Sequence, residues 1–308
     1  MLSEIGAVPA GLMGAVSFGA GDFAGGRASL RLNGLSAVAI AQLVAAATAI
    51  TVLTMTGSLI PEGSQLSLAM LAGICHVTAV FFLYQGMAHG RVSVVAPVAG
   101  VVGIAVPVIA DLGFIQMAAP AHCAGIALAI VAILLFSRSS ADDEDVTKTS
   151  FSIRFGFISG MGYGLADLFL GLMTTDTAEG GLTAARMTGA SLAFGLILAL
   201  SVGPSFRNSS AMTFFAAPGE HSAWLPAWDE KLRLGLILCV LAGFLDCIGQ
   251  LGYVLSATQG QISVAAALVA MYPAISVGLA VWLLKERIGS TQWAGLAATF
   301  AGIALLSQ

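Results

Sequence analysis

Long apolar runs follow one another along the whole chain, each separated from the next by a short polar interval. Ten of them, at approximately 6–26, 34–57, 66–88, 92–112, 118–137, 153–174, 181–202, 233–257, 262–284 and 289–307, are each long enough to cross a hydrocarbon core about 30 Å thick. The runs are continuous, whereas the strands of a membrane β-barrel read as short alternating segments. The pattern therefore predicts an all-α polytopic membrane protein with ten transmembrane helices. Its clearest unit is the last one, Ile262 to Ser307, in which two apolar runs are parted by Lys285-Glu286-Arg287 as a hairpin with its charges at the bend.

The same hairpin occurs earlier. At a constant shift of 170, LAG at 71–73 falls on LAG at 241–243, Gly90 on Gly260, Ser93-Val94 on Ser263-Val264, Gly125 on Gly295 and Ser137 on Ser307, without a gap. The first spans of the two halves align at a shift of 145, with Gly11, Ala15, Gly19 and Asp22 on Gly156, Gly160, Gly164 and Asp167. The chain reads as a duplicated five-helix unit: a first repeat over 1–138, an acidic linker over 139–150 (SSADDEDVTKTS) and a second repeat over 151–308. Five is odd, so the second repeat must enter the membrane upside down relative to the first.

Composition agrees with the pattern. Of 308 residues 58% are hydrophobic and 9% charged, against roughly 25% charged in soluble domains. The net charge of −4 comes largely from Asp142-Asp143-Glu144-Asp145, and no basic cluster supports nucleic-acid binding. Of the twelve Lys and Arg, eleven fall in intervals on one side under the ten-span reading, and only Arg186 falls on the other. The positive-inside rule then places both termini outside. The first apolar run has no basic leader and no small-residue cleavage site, so it is read as a retained span. Cys75, Cys123, Cys239 and Cys247 fall inside spans without metal or disulfide spacing, as small apolar residues. The interval 203–230, with Pro204, Pro218, Pro226, Trp224 and Trp228, reads as a segment lying along the headgroups.

Candidate chemistry lies in the few polar residues at membrane depth. Intramembrane carboxylates are costly and face a partner or a watery cavity. Asp22 either pairs with Arg27 or lines such a cavity; Asp167 has no basic residue within two turns and favours the cavity. His76 and Asp246 are equivalent at the shift of 170, and Gln250 and Tyr253 follow Asp246 on the same helix face, a stripe that either glues helices together or lines the site. Pro97, Pro107 and Pro273 interrupt spans 4 and 9, as kinks or as sources of free backbone groups. Tyr272 and Tyr84 are further candidates for the cavity. Arg186 either captures a substrate carboxylate or pairs with Asp167, and the pair is the favoured reading. Asp111 reads as interfacial.

The closing stretch, with Lys285-Glu286-Arg287, Gln292-Trp293-Ala294-Gly295 and Ala301-Gly302, resembles the final span pair of EamA-type members of the drug/metabolite transporter superfamily. GRVSVVAPVAGVVGIAVPV is similar to the matching piece of the first repeat, and Phe18-Gly19-Ala20-Gly21-Asp22-Phe23 to the family's first span. The chain departs from that family at Gln116, where an acidic residue like Glu286 is common. The resemblance implies a ten-helix basket around a central cavity, in a bacterial inner membrane, moving amino acids or other small metabolites, often outward. It implies no catalytic residue.

Together these features describe a secondary transporter working by alternating access. Its partners are a small-molecule substrate and membrane lipid, with no nucleic acid, no cofactor and no metal, and the sequence leaves the oligomeric state open, a monomer included. Asp22, His76, Tyr84, Asp167, Asp246, Gln250, Tyr253 and Tyr272 are the candidate cavity residues, and Asp22 and Asp167 the candidate coupling groups. A gradient must supply the energy, because the chain has no G-x-x-x-x-G-K-[ST] phosphate loop. Competing readings are an uncoupled facilitator, a non-transporting assembly or receptor subunit, and a membrane-embedded enzyme. The enzyme lacks the clustered His, Asp or Glu it would need.

Overall fold

In a membrane every backbone N–H and C=O must be paired within the protein, and the chain meets this demand with helices. The computed structural model describes residues 6–114, 143–202, 230–259, 262–286 and 288–306, together with residues 124, 125, 127, 128, 131 and 135. Every regular element among them is helical: α1 Ala7–Ala28, α2 Gly34–Thr56, α3 Gly63–His89, α4 Val92–Phe114, α5 Asp143–Gly171, a 3-10 turn Thr175–Thr177, α6 Ala178–Val202, α7 Glu230–Gln259, α8 Ile262–Val269, α9 Tyr272–Leu284 and α10 Ser290–Leu306. The stretches Gly34–Thr56, Gly63–His89, Thr175–Leu200 and Glu230–Gln259 are each long and apolar enough to cross a membrane unaided. Most of the expected span at 118–137, Gln116 and the interval 203–229 lie outside the described residues.

Helix ends follow local chemistry. The Asn33 side chain accepts a hydrogen bond from the Leu35 N–H at 3.0 Å and starts α2. Gly57, at φ 68°, ends it in the left-handed conformation that a residue without Cβ adopts freely. Two expectations are corrected. The acidic linker expected over 139–150 is itself helical from Asp143 onward, continuous with the span that follows. The apolar run 262–284 is two helices, because Pro273 has no N–H for the Val269 carbonyl and is tolerated only in the first turn of a new helix. α4, by contrast, stays one helix through Pro97 and Pro107.

The bundle is small-residued inside and greasy outside. On α7, Leu234, Ile237, Val240, Leu241 and Phe244 form an exposed apolar face at helical spacing. Gly243 of the same helix is buried and packs against the Ala41 carbonyl of α2 so closely that a Cβ would overlap it. Gly73 of α3 does the same against the Ala185 carbonyl of α6. Small residues at such crossings let backbones approach, which is how helices associate in lipid. The exposed Trp282 and Trp293 flank the α9–α10 bend, as aromatic residues do at a headgroup interface.

Packing partners come in reciprocal pairs. α1 lies along α7 and α3 along α5; α2 meets α7 and α3 meets α6; α4 packs on α5, and α8 with α9 packs on α1. Each statement becomes its partner when elements of one half are exchanged for their counterparts in the other. Single contacts repeat the rule: Gly11 packs on Leu268 and Gly156 on Val98, and each residue of one pair is the shifted counterpart of a residue in the other.

Candidate functional site

A cavity lies among α1, α4, α5 and the α8–α9 break. Its wall is supplied in matching positions by the two halves. Phe18 and Tyr163, Asp22 and Asp167, Ala99 and Val269, and Gly100 and Ala270 all line it, and each pair is related by the shift of its alignment. The carbonyls of Gly103 and Val269 belong to lining residues and lack an i+4 N–H because Pro107 and Pro273 follow them. Of these two prolines, Pro107 stays within the continuous helix α4, whereas Pro273 stands in the first turn of α9 beyond a break.

Each carboxylate is held by one donor. The Tyr163 hydroxyl donates to Asp22 Oδ1 at 3.2 Å, and Asp22 is 2% exposed. Gln250 Nε2 donates to Oδ1 of the half-buried Asp167 at 2.9 Å, while the Tyr253 hydroxyl donates to the Asp167 backbone carbonyl at 2.7 Å. Asp22 is thus held from α5 by Tyr163, and Arg27 is not among its described partners. The Tyr272 hydroxyl donates to the Ala96 carbonyl at 3.2 Å and fixes its ring at the break. Ser276 donates to the Gly19 carbonyl at 3.0 Å, tying α9 to α1 just beyond the cavity.

Behind this wall stands a buried polar cluster. Arg186 Nη1 donates to Asp246 Oδ2 at 2.6 Å and Nη2 to the Asp246 carbonyl at 3.1 Å. His76 Nε2 lies 3.2 Å from the same carboxylate. The His76 ring meets the Tyr163 ring edge-on at 5.2 Å, which brings the cluster against the cavity lining. An ion pair at this depth offsets the cost of burying each charge alone. Arg186, read as an outer-side residue paired with Asp167, is instead buried within α6 and paired with Asp246.

The candidate residues therefore divide. Asp22, Asp167 and Tyr272 line the cavity. His76, Asp246, Gln250 and Tyr253 are buried behind it and hydrogen-bonded, the helix-gluing alternative for that stripe. Tyr84 is buried against Gly25 of α1, where any Cβ would collide with its ring. The α4 residue Asp111 is in the helix, with its side chain outside the description. Cys239 and Cys247 are buried and Cys75 half-buried, all free, and Cys123 lies outside the described residues. Reasoning from sequence missed Phe18, Tyr163, Gly100 and Gly103. A signal for the first two was present: an aromatic ring stands four residues before each of Asp22 and Asp167.

Fold and cavity define a multi-pass helical membrane protein with one hollow lined from both halves of the chain. A family model described as the EamA-like transporter family matches residues 150–308, and the chain belongs to that family of membrane transporters. A solved structure described only as "Crystal structure of protein" superposes on 97% of this chain and 95% of its own with a TM-score of 0.64, at 13% identity, which shows a shared fold. No curated protein matches.

Proposed function

We propose that the chain is a secondary transporter of small metabolites, built as two inverted five-helix repeats that alternately expose the shared cavity to either side of a bacterial inner membrane. The observation that carries this reading is the meeting of Asp22 and Asp167, counterparts in the two halves, on one cavity. Carboxylates at membrane depth tolerate burial only beside a partner or water, and an exchanging cation or proton is such a partner. Reciprocal helix pairing supports the repeat, because two halves with equivalent contacts can rock about a common axis. The family match begins at residue 150, next to the expected start of the second repeat.

Orientation follows from charge. With Arg186 inside the bundle and paired, the other eleven basic residues all fall on one side of the ten-span reading, which supports cytoplasmic placement for that side and external termini. Transport is outward, and one of the two carboxylates takes up a proton as substrate leaves. The test is uptake of a metabolite library into liposomes containing the purified protein under an imposed pH gradient. Accumulation above equilibrium supports coupling, and simple equilibration marks an uncoupled facilitator. Failure to move any compound under any gradient overturns the reading.

A further inference from the structure

We propose that the cavity binds an amphipathic organic cation, a protonated amine or quaternary ammonium carried on an apolar body. This inference rests on the transport reading of the same site and narrows its substrate class. Three features carry it.

The first is charge of one sign. Asp22 and Asp167 are the ionisable carboxylates of the lining, and no basic residue joins them among the described residues. Arg186, the nearest cation by sequence reasoning, has both Nη atoms committed to Asp246. The stretch 111–137, which contains the expected fifth span, has no Lys or Arg to add. A carboxylate ligand would enter a site of low dielectric without a counter-charge, whereas a cation would find two.

The second is free acceptor capacity. Tyr163 and Gln250 each occupy only Oδ1 of their carboxylates, and neither Oδ2 has a hydrogen-bond partner among the described residues. Asp22 is 98% buried yet lines the cavity, so an unpartnered acceptor is aimed into an apolar hollow. Buried acceptors are normally satisfied, and one left over at a cavity marks where a donor belongs.

The third is the ring set. Phe18, Tyr163 and Tyr272 surround the same space, and aromatic faces attract cations most strongly where water is excluded. The remaining lining, Ala99, Gly100, Val269 and Ala270 among it, suits an apolar body.

The experiment uses the purified full-length protein in detergent and three probes sharing one ring: benzyltrimethylammonium, phenylalanine and phenylacetate, carrying a fixed positive charge, both charges and a negative charge. Benzyltrimethylammonium is expected to bind most tightly, with Asp167→Asn weakening it at least about tenfold. Tyr272→Leu should weaken it similarly, whereas Tyr272→Phe, which keeps the ring and loses the hydroxyl, should stay within about threefold of the parent. The Tyr272 pair keeps the test sharp if Asp167→Asn fails to fold. Tighter binding of phenylalanine or phenylacetate, indifference to Asp167→Asn, or binding of none of the three overturns the proposal. Counterflow in liposomes separates it from the transport reading. A cation that binds through Asp167 but never crosses leaves the site assignment standing and sinks transport. A different solute carried in an Asp167-dependent way, without cation binding, does the reverse.

Discussion

His76 and Asp246 occupy the same position in the two halves of the chain, and they touch: His76 Nε2 lies 3.2 Å from the Asp246 carboxylate. Residues related by a two-fold arrangement can meet only near its axis, so under the proposed inverted repeat this contact lies near that axis. Phe18 and Tyr163, related by the other shift, also meet, with ring centroids 6.2 Å apart. Between these two contacts and the α8–α9 break lie the cavity and its carboxylates.

The Arg186–Asp246 pair is expected to hold the bundle together. Arg186→Met strands the buried Asp246 carboxylate and should cost about 3–5 kcal/mol of stability. Changing Asp246→Leu in the same molecule removes the stranded charge and should recover most of the loss. Unfolding in mixed micelles of rising denaturing detergent measures both, and an additive double variant would contradict the pairing.

Close backbone crossings predict a sharp contrast among glycines. Gly73→Ala and Gly243→Ala push a methyl group into the Ala185 and Ala41 carbonyls and should each cost about 1–3 kcal/mol. Gly195, in α6, has nothing near its missing Cβ, and Gly195→Ala should be neutral or gain up to about 1 kcal/mol from helix propensity. The same unfolding series reads all three.

Glu286, in the bend after α9, accepts hydrogen bonds from the Ser93 hydroxyl and, at 3.4 Å, from the Ser93 N–H at the start of α4. A carboxylate at a helix N-terminus satisfies backbone donors that the helix cannot. A double-mutant cycle with Glu286→Ala and Ser93→Ala should therefore show a coupling of about 1.5–3 kcal/mol. A coupling near zero would mean that the α9–α10 bend is not fastened to α4 through this pair.

External termini can be checked by replacing the four cysteines and introducing Ser307→Cys. A membrane-impermeant thiol reagent added to intact cells should modify it. Modification only after the cells are opened would reverse the orientation.

Much of the architecture was legible because apolar run length fixes where a helix can cross, and nine of the ten expected spans fall on described helices within a few residues, apart from the long extension at the start of α5. The paired alignment also located the matching carboxylates. Azimuth was not legible: sequence position gives the depth of Arg186 in α6 but not which neighbour it turns toward, and the choice between Asp167 and Asp246 depends on helix rotation. The break at 270–271 escaped for a similar reason, since an apolar run with one proline reads alike as a kinked helix and as two helices. Gln250 and Tyr253 form the polar stripe expected of them, yet their donors turn to Asp167 of α5 rather than to the cavity.

The account stands on a hydrated hollow between the halves. Ala270 lines that hollow, while Val240 faces outward on α7. In a background without native cysteines, Ala270→Cys and Val240→Cys are to be exposed to a charged, water-soluble thiol reagent in opened membranes, where both faces are accessible. Rapid modification at position 270 with none at 240 is the predicted result. Equal inertness at the two positions would show that water does not reach the space between Asp22 and Asp167, and would contradict the account.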